Sequence, residues 1–495
     1  MGQREIKWGV VISYLLIIFN TVFGFVVTPF ILKMLGESSY GVYKTIASFT
    51  SSMLVLDLGL GGTIMRYIAN YRAKNENHKI QPFISMAIVE GGVIILILAI
   101  ASVCVYFNIE RIYKSSFSTE EISLAYDLFK ILAVTLVLHI IENIFNGIIT
   151  GYNNFIFGNG IKLVRILLRI VLIYVILAKY KSAVMLVSID LMLTVIAVLI
   201  EAVYIQKIYN LKFKISLKNW DWFVFKESFI YTLFLFLTSI AAQINSNLDN
   251  VVIGIIKGAK YVTIYSFGII IFGMYQQLST TISGVMLPTV AREINYDSTG
   301  EKIQDLIVKA GRLQFILLGG ALVGFVILGK RFINLWLGNG FEDVYIIVLI
   351  LIIPSLFELC VNVCLTVLRA KNMLGFRTAI LCLTTLLNLI ISVIGVMIWG
   401  YFAAAIGTAV SFVLGSLIIM NIYYYKKLGF NMLRIYKRIM SKTWVCLILA
   451  GVVLYISSRY INWGWIGFVI NVLIFCVVYG LGLLLSGAVK IKNNN

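Results

Sequence analysis

Two histidines, four prolines and only 22 Asp and Glu in 495 residues leave little from which to build a soluble catalytic centre. His78 and His139 stand apart, so no HExxH metal motif exists, and neither a GxxxxGK[ST] phosphate loop nor a GxGxxG dinucleotide turn is present. These absences argue against an ATP-driven pump or a membrane metalloprotease; no enzyme activity, cofactor or metal site is expected. The six cysteines, Cys104, Cys360, Cys364, Cys382, Cys446 and Cys476, all fall inside apolar runs without CxxC spacing. They read as packing residues rather than redox or metal ligands.

What is abundant is apolar surface. Sixty percent of the residues are hydrophobic, 13% are charged and the mean hydropathy is +0.96, more than a soluble domain can hide. Apolar runs of about twenty residues fall near 8–32, 44–68, 83–106, 128–149, 161–178, 183–204, 229–256 and 262–288. Six more lie near 313–333, 345–368, 378–398, 402–424, 443–459 and 464–486. The fold class expected is an all-α integral membrane protein of about fourteen transmembrane helices. The net charge of +19 would suggest nucleic acid in a soluble protein, but the Lys and Arg sit between the runs. With both termini cytoplasmic, the alternate segments on that side carry a large majority of the 41 Lys and Arg, as the positive-inside rule requires. No nucleic-acid partner is implied. Arg4 and Lys7 precede a first run too long for a cleaved signal peptide, and Ile6 stands where a myristoylation motif needs Ser or Thr.

Two cytoplasmic segments are amphipathic and basic. Ile205 to Ser228 mixes Lys207, Lys212, Lys214 and Lys218 with Trp220, Trp222, Phe223 and Phe225, and Lys426 to Lys442 carries Arg434, Lys437 and Arg438. Both fit headgroup anchors attracted to anionic membrane lipid. Gly36 and Tyr43 after the first run match Gly258 and Tyr265 after the seventh, and Gly151-Tyr-Asn-Asn and Arg369-Ala-Lys-Asn stand before the fifth and eleventh. Six helices separate each pair, so the halves share one orientation as parallel repeats. The division expected is an N-terminal lobe over 1–210, a linker over 211–228, a second six-helix lobe over 229–425, and a basic linker with the last helix pair over 426–495.

Ionisable groups inside a span are costly and mark candidate sites. Lys162, Arg165 and Arg169 recur at three and four residues on the fifth run, covering roughly 60° and reaching about 10 Å into the membrane. Lys162 and Arg165 can also snorkel to the interface; Arg169 is deeper, and Arg forks suit phosphate oxygens. On the fourth run His139, Glu142, Asn143 and Asn146 share a face. Glu142 can pair with Arg165 or Arg169, carry a proton, or bond hydroxyls of a ligand. On the seventh, Gln243, Asn247 and Asn250 share a face with Asp249 beside it; amides there suit hydroxyl-rich ligands or helix packing. Asp57 precedes Leu58-Gly-Leu-Gly-Gly62 in what reads as mid-helix, Glu90, Asp190 and Glu358 stand alone, Pro29 and Pro354 interrupt spans, and Arg66 ends the second run either as an anchor or an anion ligand.

With these residues in view, the chain resembles the polysaccharide flippase family, within the superfamily that also holds lipid II flippases and multidrug and toxin extruders. The resemblance runs nearly end to end and rests on Pro29-Phe-Ile-Leu-Lys-Met-Leu-Gly36, Tyr40-Gly-Val-Tyr43, Leu56-Asp-Leu-Gly-Leu-Gly-Gly-Thr63 and Gly151-Tyr-Asn-Asn. It implies two six-helix lobes rocking about a cationic cavity, and a monomer in the bacterial cytoplasmic membrane. The implied cargo is an undecaprenyl-diphosphate-linked glycan. Arg169, Arg165, Lys162 and Arg66 would then meet the diphosphate. Glu142, His139, Asn143, Asn146, Asp57, Gln243, Asn247, Asn250 and Asp249 would line the path, with H+ or Na+ as a coupling cation. A cation-coupled multidrug exporter of the same architecture is the alternative, with Asp57, Glu142 and Asp190 as ion carriers.

Overall fold

The computed structural model describes residues 15–16, 19–20, 23–54, 59–211, 222, 226, 247–294, 300–371, 373–441 and 443–487. Among them the chain is helical throughout, with no strand. In chain order the helices are α1 (Phe23–Leu35), α2 (Glu37–Met53), α3 (Leu60–Ala73), α4 (Ile80–Tyr113), α5 (Thr119–Gly151), α6 (Phe155–Tyr180), α7 (Ala183–Tyr209), α8 (Asn247–Ile256) and α9 (Ala259–Ile294). There follow α10 (Glu301–Leu337), α11 (Asp343–Cys360), α12 (Val363–Ala370), α13 (Leu374–Trp399), α14 (Phe402–Leu428), α15 (Met432–Met440), α16 (Thr443–Tyr460) and α17 (Gly464–Leu485).

Among the described residues nine helices are long and apolar enough to cross a membrane: α4, α5, α7, α10, α11, α13, α14, α16 and α17. The 26-residue α6 has the length too, but it carries Lys162, Arg165, Arg169 and Lys179. The apolar run over 44–68 is not one helix. Its α2 part ends at Met53, and α3 starts after Gly59, whose φ of 70° is left-handed; a residue without a Cβ tolerates that break. Asp57 lies outside the described residues, as do Gln243 and nearly all of the basic segment beyond Leu211. The second basic segment forms α15, with Met432, Ile435 and Ile439 buried and Arg434, Lys437 and Arg438 exposed. Gly36 and Gly258, matched in sequence, both adopt positive φ, 78° and 98°, between consecutive helices.

The chain divides into two compact units, Met1–Thr263 and Ile264–Asn495. In the first, α5 packs against α2, α3, α4 and α7. Ser118 and Glu121 begin α5 with a reciprocal capping box, each side chain bonded to the other's backbone N–H. Glycines allow the close crossings: a Cβ on Gly147 would lie 2.6 Å from the Gly61 carbonyl oxygen, and one on Gly61 2.8 Å from that of Asn143. The second unit is built on α13 against α14, α10 against α11, and the α16–α17 hairpin. Inside it Gln314 Nε2 donates to Ser279 Oγ at 3.0 Å and Ser283 Oγ at 2.8 Å, the kind of polar tie that holds helices together where no water competes.

Candidate functional site

The turn between α5 and α6 aims the cationic stripe. Asn154 caps α6 by accepting from Phe157 N at 3.2 Å and donates to the Tyr204 hydroxyl at 2.6 Å. Phe157 stacks on Tyr204 at 3.6 Å, Tyr152 on Tyr209 at 3.9 Å, and the Arg72 guanidinium lies 4.7 Å above Tyr152. This aromatic clamp fixes the start of α6 to the end of α7. Farther along, Phe30 of α1 packs on Tyr174 at 4.4 Å. The rotation of α6 is thereby set, and Lys162, Arg165 and Arg169 face inward.

They line a cavity of 480 Å³ within the first unit, in the range of about 300–1,000 Å³ usual for ligand sites. Its other walls include Tyr43 and Thr50 of α2, Thr135, His139 and Glu142 of α5, and Asp190 and Thr194 of α7. Arg165 Nη1 donates to Glu142 Oε1 at 2.8 Å, and Glu142 Oε2 lies 3.1 Å from His139 Nδ1. Arg169 grips Asp190 bidentately, Nε to Oδ1 at 2.5 Å and Nη2 to Oδ2 at 2.7 Å. It also faces the Tyr43 side chain across the cavity wall and lies 4.6 Å over the Phe23 ring. Lys162 forms no ion pair among the described residues. The wall therefore holds three cations against two carboxylates.

Of the residues expected from sequence, the structure brings Lys162, Arg165, Arg169, His139 and Glu142 to this one cavity. Glu142 takes Arg165 rather than Arg169, and Asp190, isolated in sequence, is the Arg169 partner. Arg66 is exposed on α3 and lies apart from the cavity lining. Asn143 presents its carbonyl to Gly61, and Asn146 is held near Gly158. Asn247, Asp249 and Asn250 lie on α8 outside the lining, and Asn250 Nδ2 donates to Ser48 Oγ of α2 at 3.0 Å in a buried packing contact.

Glu201 of α7 escaped the sequence reading. It is fully buried, and neither carboxylate oxygen has a hydrogen-bond partner, although Glu142, Lys162 and Arg165 lie within electrostatic reach. In sequence it reads as an acid near the basic end of a largely apolar helix. A buried acid without donors opposes folding, so Glu201→Met is expected to raise the melting temperature of the purified protein by a few degrees, equivalent to about 1 kcal/mol. An unchanged or lower melting temperature for Glu201→Met would show instead that the buried carboxylate contributes to stability.

A family model described as polysaccharide biosynthesis protein matches residues 6–294, more than half of the sequence. The chain belongs to this family. It is 27% identical over 176 residues to the probable flippase AglR of Haloferax volcanii, and it spans about a third of that relative's length: the match covers 34% of this chain and 36% of AglR. In fold it is similar to a lipid II flippase, MurJ, in an inward closed conformation, with a TM-score of 0.74 and 17% identity over 96% of this chain and 98% of MurJ. It is also similar to an inward-facing multidrug resistance MATE transporter of the MOP superfamily, with a TM-score of 0.57 and 15% identity over 81% and 96%. At these identities the likeness establishes the fold, and with the apolar helices it makes this polysaccharide biosynthesis protein a multi-pass integral membrane protein.

Proposed function

We propose that the protein is a flippase that moves an undecaprenyl-diphosphate-linked oligosaccharide, the repeat unit of a surface polysaccharide, from the inner to the outer leaflet by alternating access. The observation that carries this reading is the surplus cation of the cavity: Lys162 stands unpaired among the described residues beside Arg165 and Arg169, whose remaining N–H groups can each donate further. A diphosphate would meet Lys162 first and share the two guanidiniums with Glu142 and Asp190. The sugar nearest the carrier would lie against Thr50, Thr135 and His139, with the polyprenyl chain left in lipid. The full topology belongs to the same proposal. It comprises about fourteen spans with both ends cytoplasmic, lobes over 1–210 and 229–425, an added helix pair in 426–495, and a monomer in the bacterial cytoplasmic membrane.

The acids in the wall, Glu142 and Asp190, favour a second reading, a cation-coupled multidrug exporter using H+ or Na+. Charge separates the two, since a cavity with more guanidinium and ammonium than carboxylate repels an organic cation. In proteoliposomes, a fluorescent undecaprenyl-diphosphate sugar is expected to change leaflets with the wild type, and about tenfold more slowly with Lys162→Met, the loss of one charge-assisted contact. Transport of a cationic dye with no movement of the sugar lipid would reverse the assignment.

A further inference from the structure

The second unit holds a groove that the transport reading does not use. It runs between the last turns of α14, the short helix α15 and Phe357 of α11, with a volume of 780 Å³. Ile418, Ile422, Tyr425, Leu433 and Met440 form its walls, and Leu433 is 77% exposed. The floor is built in advance. The Tyr436 hydroxyl donates to the Phe357 carbonyl at 3.3 Å and accepts from Asn421 Nδ2 at 3.1 Å. On its other side α15 is pinned to α10: Arg438 Nη2 bonds Asp305 at 2.8 Å, Arg312 Nη2 donates to the Arg438 carbonyl at 2.9 Å, and Ile439 packs on Gly311.

Charge selects what fits. Between Met420 and Lys442 there is no acidic residue, while Lys426, Lys427, Arg434, Lys437 and Arg438 are all exposed. Among the described residues only Arg438 of these five has a carboxylate partner. Two of the free cations lie one helical turn from lining residues. Lys437 stands one helical turn from Leu433, and Lys426 one turn beyond Ile422. An apolar trough, continuous with the exposed face of a spanning helix and with a lysine one turn from its lining on each of two helices, matches an acyl chain carrying an anionic head.

We propose that this groove binds an anionic phospholipid of the surrounding membrane, one acyl chain along Ile418, Ile422 and Leu433 and the phosphate between Lys426 and Lys437. The full-length protein in neutral detergent is titrated with phosphatidylglycerol or phosphatidylcholine, and bound lipid is read by native mass spectrometry. Phosphatidylglycerol is expected to bind about tenfold more tightly, the Lys426→Gln/Lys437→Gln pair to abolish that preference, and Leu433→Trp to lower retention with both lysines in place. All three positions are exposed, so folding is spared. Equal binding of the two lipids would overturn charge selection, and unchanged binding in both variants would overturn the location. Displacement of phosphatidylglycerol by a lower concentration of undecaprenyl phosphate would give the groove to a polyprenyl chain instead.

Discussion

On the proposed flippase function, Arg169→Ala is expected to lose both transport and most of the folded protein. Its guanidinium makes two short bonds to Asp190, and removing it strands a carboxylate in the cavity wall. Breaking a buried ion pair from one side costs about 3–5 kcal/mol. Both side chains are about a quarter exposed, 26% and 24%, which puts this pair at the lower end. The double variant Arg169→Ala/Asp190→Ala removes the stranded charge, so its melting temperature should return to within a few degrees of wild type while flipping remains at background. A double variant that flips at the wild-type rate would take Arg169 out of cargo handling and leave it a structural role. The comparison works because residues in direct contact are strongly non-additive, and the coupling isolates the pair.

Gly41→Ala should be as damaging for a different reason. A Cβ at that position would sit 1.9 Å from the Ala259 carbonyl oxygen, 2.5 Å from its carbon and 2.8 Å from Thr263 Oγ1. Two of these atoms are backbone and cannot rotate away, and Thr263 Oγ1 is held by its bond to the Glu37 carbonyl at 2.7 Å. The first turns of α2 and α9 would have to part, at about 3 kcal/mol or more, and little monodisperse protein is expected on size exclusion. Gly92→Ala and Gly160→Ala, which meet nothing within 4 Å, serve as controls and should match or slightly exceed wild-type stability, since alanine favours helix. Normal yield and melting temperature for Gly41→Ala would contradict the tight crossing.

Local features of the chain were legible in its sequence, and long-range partners were not. Among the described residues nine apolar runs coincide with helices long and apolar enough to span, because lipid imposes length and hydropathy on each segment separately; the run over 44–68 does not, being broken before Gly59. The stripe on α6 was legible for a similar reason: three cations at helical spacing share a face wherever the helix is placed. Partners were not legible. Asp190 lies 21 residues from Arg169, and Ser48 lies 202 from Asn250; only packing decides such pairs. Gly59 was visible as part of a glycine-rich stretch, but its left-handed turn depends on how α3 meets α5. Glu201 resembled an acid near a helix end until its burial was known. The amphipathic α15 was readable, while the groove beside it required the position of α14.

The ion pairs of α6 also constrain how the protein is made. A lysine or arginine at the centre of a lone helix costs about 2.5–3.5 kcal/mol on insertion from the translocon, and α6 carries three in its cavity-facing stripe. Arg165 finds Glu142 on α5, which has already been synthesised when α6 emerges. The acid for Arg169 is on α7, not yet made at that moment. In the proposed topology, where α6 spans the bilayer, the segment gains its second counter-ion only when the following helix arrives, which favours joint insertion of α5, α6 and α7.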